Sequence, residues 1–188
     1  MPGEWETQKS VWIVWPYNKT DWPGLFDSIP QVISKIICSI SINQKVNLII
    51  RNKKEKVKIK KILGKFKNNL SNIKFYSIPT NRIWIRDSGP LFLINNKTRD
   101  KIILNFKFNG WSKYNNYQKD NRINDKIVKL IKIKKIDPTI KFKRKLKKII
   151  LEGGAIDVNG HGSVLLTREC LLSKVQERNP GMDKLNLE

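Results

Sequence analysis

Cysteine, histidine and acidic residues are scarce in this chain, and so are long apolar runs. Of its 188 residues only two are cysteine, Cys38 and Cys170, and one is histidine, His161. The cysteines lie far apart, and the N-terminal Met1-Pro2-Gly3-Glu4-Trp5 lacks the basic-then-apolar pattern of a secretory leader. A reduced, cytoplasmic protein is the expectation. The longest uncharged apolar stretches fall short of the roughly 20 residues that a membrane-spanning helix takes, so no membrane partner is expected. Acid is outnumbered: 16 Asp and Glu face 38 Lys and Arg, a net charge of +22.

A surplus of that size ordinarily points to nucleic acid or an anionic surface. Here the lysines travel with Ile and Asn, at residues 53–67, 132–135 and 141–148, the residue types that AT-rich codons specify. No zinc-finger spacing, aromatic RNA-binding strand or GXXG loop accompanies them. The charge therefore reads as base composition rather than as a nucleic-acid site. A basic module for RNA or an acidic partner stands as the alternative from another functional class.

What is present is enough for a packed interior. A chain of this length buries roughly 70% of its unfolded surface, and six Trp, seven Phe and many Ile supply bulk. Residues 11–15 (Val-Trp-Ile-Val-Trp) form a short apolar run closed by Pro16, which reads as a buried strand. Leu25, Phe26, Ile29, Val32, Ile33, Ile36, Ile37 and Ile40 recur at helical spacing, with Pro30 tolerated near the helix start. Residues 46–50 read as a strand. Asn52 is placed to cap a helix whose apolar stripe is Val57, Ile59, Ile62, Leu63 and Phe66, and residues 73–78 read as the next strand. The order is mixed α/β.

Further on, residues 91–94 and 102–108 read as a hairpin, and Ile123, Ile127, Val128, Leu130 and Ile131 as a helix. Residues 132–148 read as a lysine-rich connection broken by Pro138. Residues 149–151, 155–158 and 163–167 read as three short strands, with Asn159-Gly160 as a tight turn. The tail beyond Cys170 is polar and shows no closing element.

Two carboxylates stand where idle charge is costly. Asp87, in Ile83-Trp84-Ile85-Arg86-Asp87-Ser88-Gly89-Pro90, lies between an apolar segment and a Ser-Gly-Pro turn. At a strand mouth, its two oxygens match the paired N–H donors of a guanidinium. An ion pair with Arg86 or a turn cap is the structural alternative. Glu152 follows Ile149-Ile150-Leu151 and precedes Gly153-Gly154, so a carboxylate emerges from a buried strand where backbone can approach a ligand closely. A rim glutamate in a glycine turn is its alternative.

In order along the chain, Met1-Pro2-Gly3-Glu4-Trp5-Glu6, Val11-Trp12-Ile13-Val14-Trp15-Pro16, Trp84-Ile85-Arg86-Asp87-Ser88-Gly89-Pro90, Phe106-Lys107-Phe108-Asn109-Gly110-Trp111, Leu151-Glu152-Gly153-Gly154 and Leu165-Leu166-Thr167-Arg168-Glu169-Cys170-Leu171-Leu172 resemble the agmatine deiminase and bacterial (Porphyromonas-type) peptidylarginine deiminase family of the pentein superfamily. The resemblance implies an α/β fold, part of a five-bladed α/β propeller built of ββαβ modules. Residues 1–188 would be the N-terminal part of a single deiminase domain.

The chemistry implied is hydrolysis of agmatine to N-carbamoylputrescine and ammonia, a step of putrescine biosynthesis. A cysteine thiolate attacks the guanidinium carbon, ammonia leaves, and water releases the product, with a histidine as acid and base. Protein-bound arginine is the alternative substrate. By the same resemblance Asp87 and Glu152 bind the substrate, Trp84 and Trp111 wall the pocket by cation–π contact, and Arg86 supports Asp87. No cofactor or metal is implied.

The family's His-x-Asp motif and its Gly-rich nucleophile segment are not found in this sequence. His161, in Asn159-Gly160-His161-Gly162, has no aspartate two residues on, and Cys170 falls where the family carries a non-catalytic cysteine. The catalytic set is therefore expected to be incomplete and the chain alone inactive. A propeller cut after about half its blades exposes a strand edge, so a companion C-terminal fragment or a second copy is the expected protein partner.

Overall fold

The computed structural model describes residues 1–182. They fall into two compact units, one formed by Thr7–Ile85 and the other by Met1–Glu6 together with the chain from Arg86 onward.

In the Thr7–Ile85 unit three parallel strands alternate with two helices. β1 (Val11–Val14) pairs with β2 (Val46–Ile50), and β2 with β3 (Ile73–Ser77), giving the order β1-β2-β3. The central strand is buried at Val46, Leu48, Ile49 and Ile50, as expected of a parallel strand covered on both faces. The helix α1 (Ile29–Ser41) carries Pro30 in its first turn, where the missing N–H costs nothing. Its buried face is Ser34, Ile37, Cys38 and Ser41, whereas Val32 and Ile36 of the expected stripe are nearly half exposed. The face is rotated because two serines satisfy their hydroxyls on the helix's own carbonyls, Ser34 on Pro30 and Ser41 on Cys38, so small side chains can pack inward.

The second helix, α2 (Glu55–Leu63), buries Ile59 and Leu63 but leaves Val57 exposed. Asn52 accepts the Glu55 N–H at 3.2 Å, the expected capping contact. Trp15, Ile37, Cys38, Leu48, Ile50, Ile59 and Leu63 belong to one core cluster, and Cys38 is a buried thiol as expected.

The other unit begins within the helical turn α3 (Ile85–Ser88). The antiparallel hairpin β4 (Leu91–Ile94) and β5 (Lys101–Leu104) is followed by the helix α4 (Ile123–Ile131) and by β6 (Lys134–Ile136), which pairs parallel to β5. This is one ββαβ unit. A second hairpin, β7 (Thr139–Phe142) with β8 (Lys145–Lys148), occupies the lysine-rich stretch that reads as connection in the sequence. Its turn residues Lys143 and Arg144 both have positive φ, 47° and 64°, the geometry of a tight primed turn made without the usual Asn or Gly.

The three short strands expected between 149 and 167 are reduced to two. Residues 149–151 form no strand; Ile150 makes a single parallel bridge to Lys107 before a 3₁₀ turn at Gly153–Ala155. Only Ile156–Val158 (β9) and Val164–Leu166 (β10) pair as strands. The short helix α5 (Arg168–Leu172) follows β10, and residues 173–182 hold no helix or strand. No helix among the described residues is long and apolar enough to cross a membrane.

Candidate guanidinium site

Asp87 stands on the helical turn α3, not at a strand mouth as its sequence reads. The turn of Gly153-Gly154 comes against it. Asp87 Oδ1 accepts the backbone N–H of Gly154 at 3.1 Å, and Oδ2 accepts the indole Nε1–H of Trp111 at 3.2 Å. Neither glycine has a positive φ; each is required for close approach instead. A Cβ on Gly153 would collide with the Arg86 carbonyl, and one on Gly154 with Asp87 Oδ1.

Arg86 points the other way and pins the facing turn. Its Nε donates to the Gly153 carbonyl at 3.0 Å and its Nη2 to that of Ile156 at 3.4 Å, while Nη1 pairs with Glu4. The guanidinium thus holds the glycine turn against its own chain neighbour Asp87.

Trp111 reaches Asp87 from a loop that bends sharply. Gly110, Trp111 and Ser112 all lie in the left-handed region, with φ of 66°, 59° and 53°, a conformation that costs a non-glycine residue about 1–2 kcal/mol. Asn109 secures the bend by accepting the Ser112 N–H at 3.1 Å. Phe108 and Tyr114 meet the indole edge-on, with ring centroids 4.9 Å and 6.0 Å away. Strain of this kind persists where surrounding contacts over-determine it.

Glu152 is buried, 2% exposed. Its Oε1 accepts Arg178 Nε at 2.9 Å, and that guanidinium is also buried. Its other oxygen, Oε2, is buried and has no hydrogen-bond partner among the described residues. Burial raises the carboxyls of Asp87 and Glu152 above their ordinary values. Trp111 and Gly154 oppose the shift at Asp87; Arg178 opposes it at Glu152, where the Asp87 charge adds to it. Two carboxylates that burial discourages from charging, one of them further opposed by the other's charge, are a favourable seat for a cation.

The fold brings Asp87, Arg86, Trp111 and Glu152 into one unit; Trp84 belongs to the other, where its ring lies tilted against Trp22 with centroids 5.8 Å apart and the residue is 41% exposed. His161 is exposed on the turn between β9 and β10, its N–H donated to Asn159. Cys170 lies partly buried on α5. Arg178 is the residue that sequence reasoning missed. Its signal was an arginine beside Asn179-Pro180 in a tail that otherwise reads as polar filler. A separate cleft of about 470 Å³ in the same unit is lined by Lys107, Lys135, Lys147 and Lys148 with a single carboxylate, Asp125, which pairs with Lys135.

All of residues 1–188 match the sequence profile of the Porphyromonas-type peptidyl-arginine deiminases. The chain belongs to that family. Among similar proteins, a candidate agmatine deiminase of Streptococcus mutans is 30% identical across this whole chain, which covers 48% of it. The solved agmatine deiminase of Enterococcus faecalis, described as catalysing its reaction, superposes with a TM-score of 0.81 at 27% identity, covering all of this chain and 48% of its own. A cysteine-to-serine variant of the C. jejuni agmatine deiminase, solved with substrate bound, gives 0.77 at 30% identity, covering 98% of this chain and 50% of its own. This member of the peptidyl-arginine deiminase family therefore spans about half the length of these relatives and shares their mixed α/β fold.

Proposed function

We propose that this chain is the substrate-side part of a guanidine deiminase, and that agmatine is the guanidine it holds. The observation that carries the reading is the arrangement around Asp87. Its carboxylate is fixed by the Trp111 indole and the Gly154 amide, and the following turn begins at a second buried carboxylate, Glu152, with one oxygen unengaged. Asp87 and Glu152 receive the guanidinium nitrogens, Trp111 covers the cation with its ring face, and Arg86 supports Asp87 by pinning the glycine turn. Substrate-bound and reacting agmatine deiminases among the structural neighbours support agmatine over protein-bound arginine.

In this reading residues 1–188 are the N-terminal part of one deiminase domain and of its five-bladed propeller. The ββαβ unit of β4, β5, α4 and β6 supports that architecture. The thiolate and the histidine of the hydrolysis come from sequence other than this chain's, so the chain by itself releases no ammonia. The companion that supplies them, or a second copy, meets exposed apolar surface such as β10, where Val164, Leu165 and Leu166 are 53%, 74% and 53% exposed.

Calorimetric titration of the 188-residue chain with agmatine, and with putrescine, which lacks the guanidinium, tests the reading. Agmatine binding that putrescine does not reproduce and that Asp87→Ala abolishes is expected. Equal binding of agmatine and putrescine, or binding that survives Asp87→Ala, would overturn it.

A further inference from the structure

A site that recognises a guanidinium contains a guanidinium of its own. Arg178 and Glu152 form a buried ion pair, their side chains 7% and 3% exposed. Such a pair recovers its desolvation cost only when geometry is good and the remaining donors are satisfied. Arg178 meets that condition through Gln176, whose backbone and side-chain oxygens accept Nη1 at 2.8 Å and 3.2 Å. With Nε directed at Oε1, the carboxylate is held in one orientation and Oε2 is left open.

The segment around Arg178 is tied to both sides of the candidate site. Asn179 clamps Ile150, two residues before Glu152, donating to its carbonyl and accepting its N–H, both at 3.0 Å. On the other side, the Trp111 loop donates to the same segment: Ser112 Oγ to the Glu177 carbonyl at 2.7 Å, and Asn109 Nδ2 to that of Arg178 at 3.4 Å. Four consecutive residues, Gln176 to Asn179, thus connect the extended segment entering Glu152 with the bend that aims Trp111 at Asp87.

We infer that Arg178 is a positioning residue: it occupies one oxygen of Glu152 and fixes the other as the acceptor presented to an incoming cationic ligand, while its segment sets the spacing between Glu152 and Trp111. The inference rests on the proposed guanidinium site for its ligand but not for its geometry. Charged groups facing Glu152 are Arg178, which favours its ionised form, and Asp87, which opposes it. Removing Arg178 leaves burial and Asp87 acting together against the charge.

The test is carboxyl-carbon NMR of Glu152 against pH in the full chain, with agmatine affinity measured beside it. Arg178→Met is expected to raise the Glu152 midpoint by about one unit or more and to weaken agmatine binding about tenfold. Arg178→Lys, which keeps the charge but loses the planar fork, is expected to restore the midpoint and not the affinity. If Arg178→Met unfolds the chain, Arg178→Met combined with Glu152→Gln, which removes the orphaned charge, is expected to refold it. A Glu152 midpoint unmoved by Arg178→Met, an affinity fully restored by Lys, or a double variant no more stable than the single one would each overturn the inference. A midpoint that responds in a chain with no agmatine binding supports the positioning role and overturns the substrate assignment alone.

Discussion

Asp87 is half-buried, with a donor on each oxygen, so burial and hydrogen bonding act on its charge in opposite directions, and burial prevails. The sign of the pH dependence follows. A carboxyl raised on folding binds its proton more tightly in the native state, so between the unfolded and folded values the native form carries more protons and stability falls as pH rises. That loss begins near the ordinary values of 3.8 for Asp87 and 4.5 for Glu152 and is complete above their raised ones. Agmatine binding runs the other way, because it needs both carboxylates charged. Affinity measured from acid to neutral pH is expected to climb through a window above those ordinary values and then level off; a flat profile would count against both carboxylates. Trp111→Phe removes one donor from Asp87, and affinity is expected to fall about fivefold, the equivalent of one net hydrogen bond of about 1 kcal/mol.

At the level of elements, the glycine turn after Glu152 is held by contact rather than by backbone conformation. Gly153→Ala drives a methyl into the Arg86 backbone carbonyl, which cannot yield as a side-chain end can. A loss of about 1–3 kcal/mol in urea unfolding is expected, as for other overpacked sites. Gly154→Ala presses on the Asp87 carboxylate instead, and is expected to cost agmatine affinity more than stability. The close approach itself was legible, because two glycines after a buried carboxylate imply it. Other elements were not. The hairpin of β7 and β8 turns on Lys143 and Arg144 in the left-handed region, where sequence patterns look for Asn or Gly. The apolar, bulky Ile83, Trp84 and Ile85 suggest that Asp87 ends a strand, yet residues Ile85–Ser88 close a helical turn. Arg178 escaped notice because its partner lies 26 residues away, and nothing local distinguishes an arginine in a polar tail from a solvated one. The parallel strands and helices of the first unit were legible from their apolar spacing, although α1 buries Ser34 and Ser41 beside Ile37 and leaves Val32 and Ile36 nearly half exposed.

Over the whole molecule the +22 charge opposes compactness. Lysines dominate the surface, and their mutual repulsion is screened once the Debye length falls to about 10 Å near 0.1 M salt. The melting temperature is therefore expected to rise with salt, and self-association through exposed apolar surface such as β10 to increase with it, which sedimentation at several ionic strengths would show. A melting temperature that falls with salt would mean that attractive ion pairs, not repulsion, govern the surface. A guanidinium seated on Asp87 perturbs two protons already bonded to that carboxylate, the Trp111 indole Nε1–H and the Gly154 amide. Their NMR resonances in the 188-residue chain, followed during titration with agmatine, test this most directly. Saturable shifts of both that vanish in Asp87→Asn are predicted; resonances that stay fixed at saturating agmatine, or that move equally in Asp87→Asn, would contradict a guanidinium site built on Asp87.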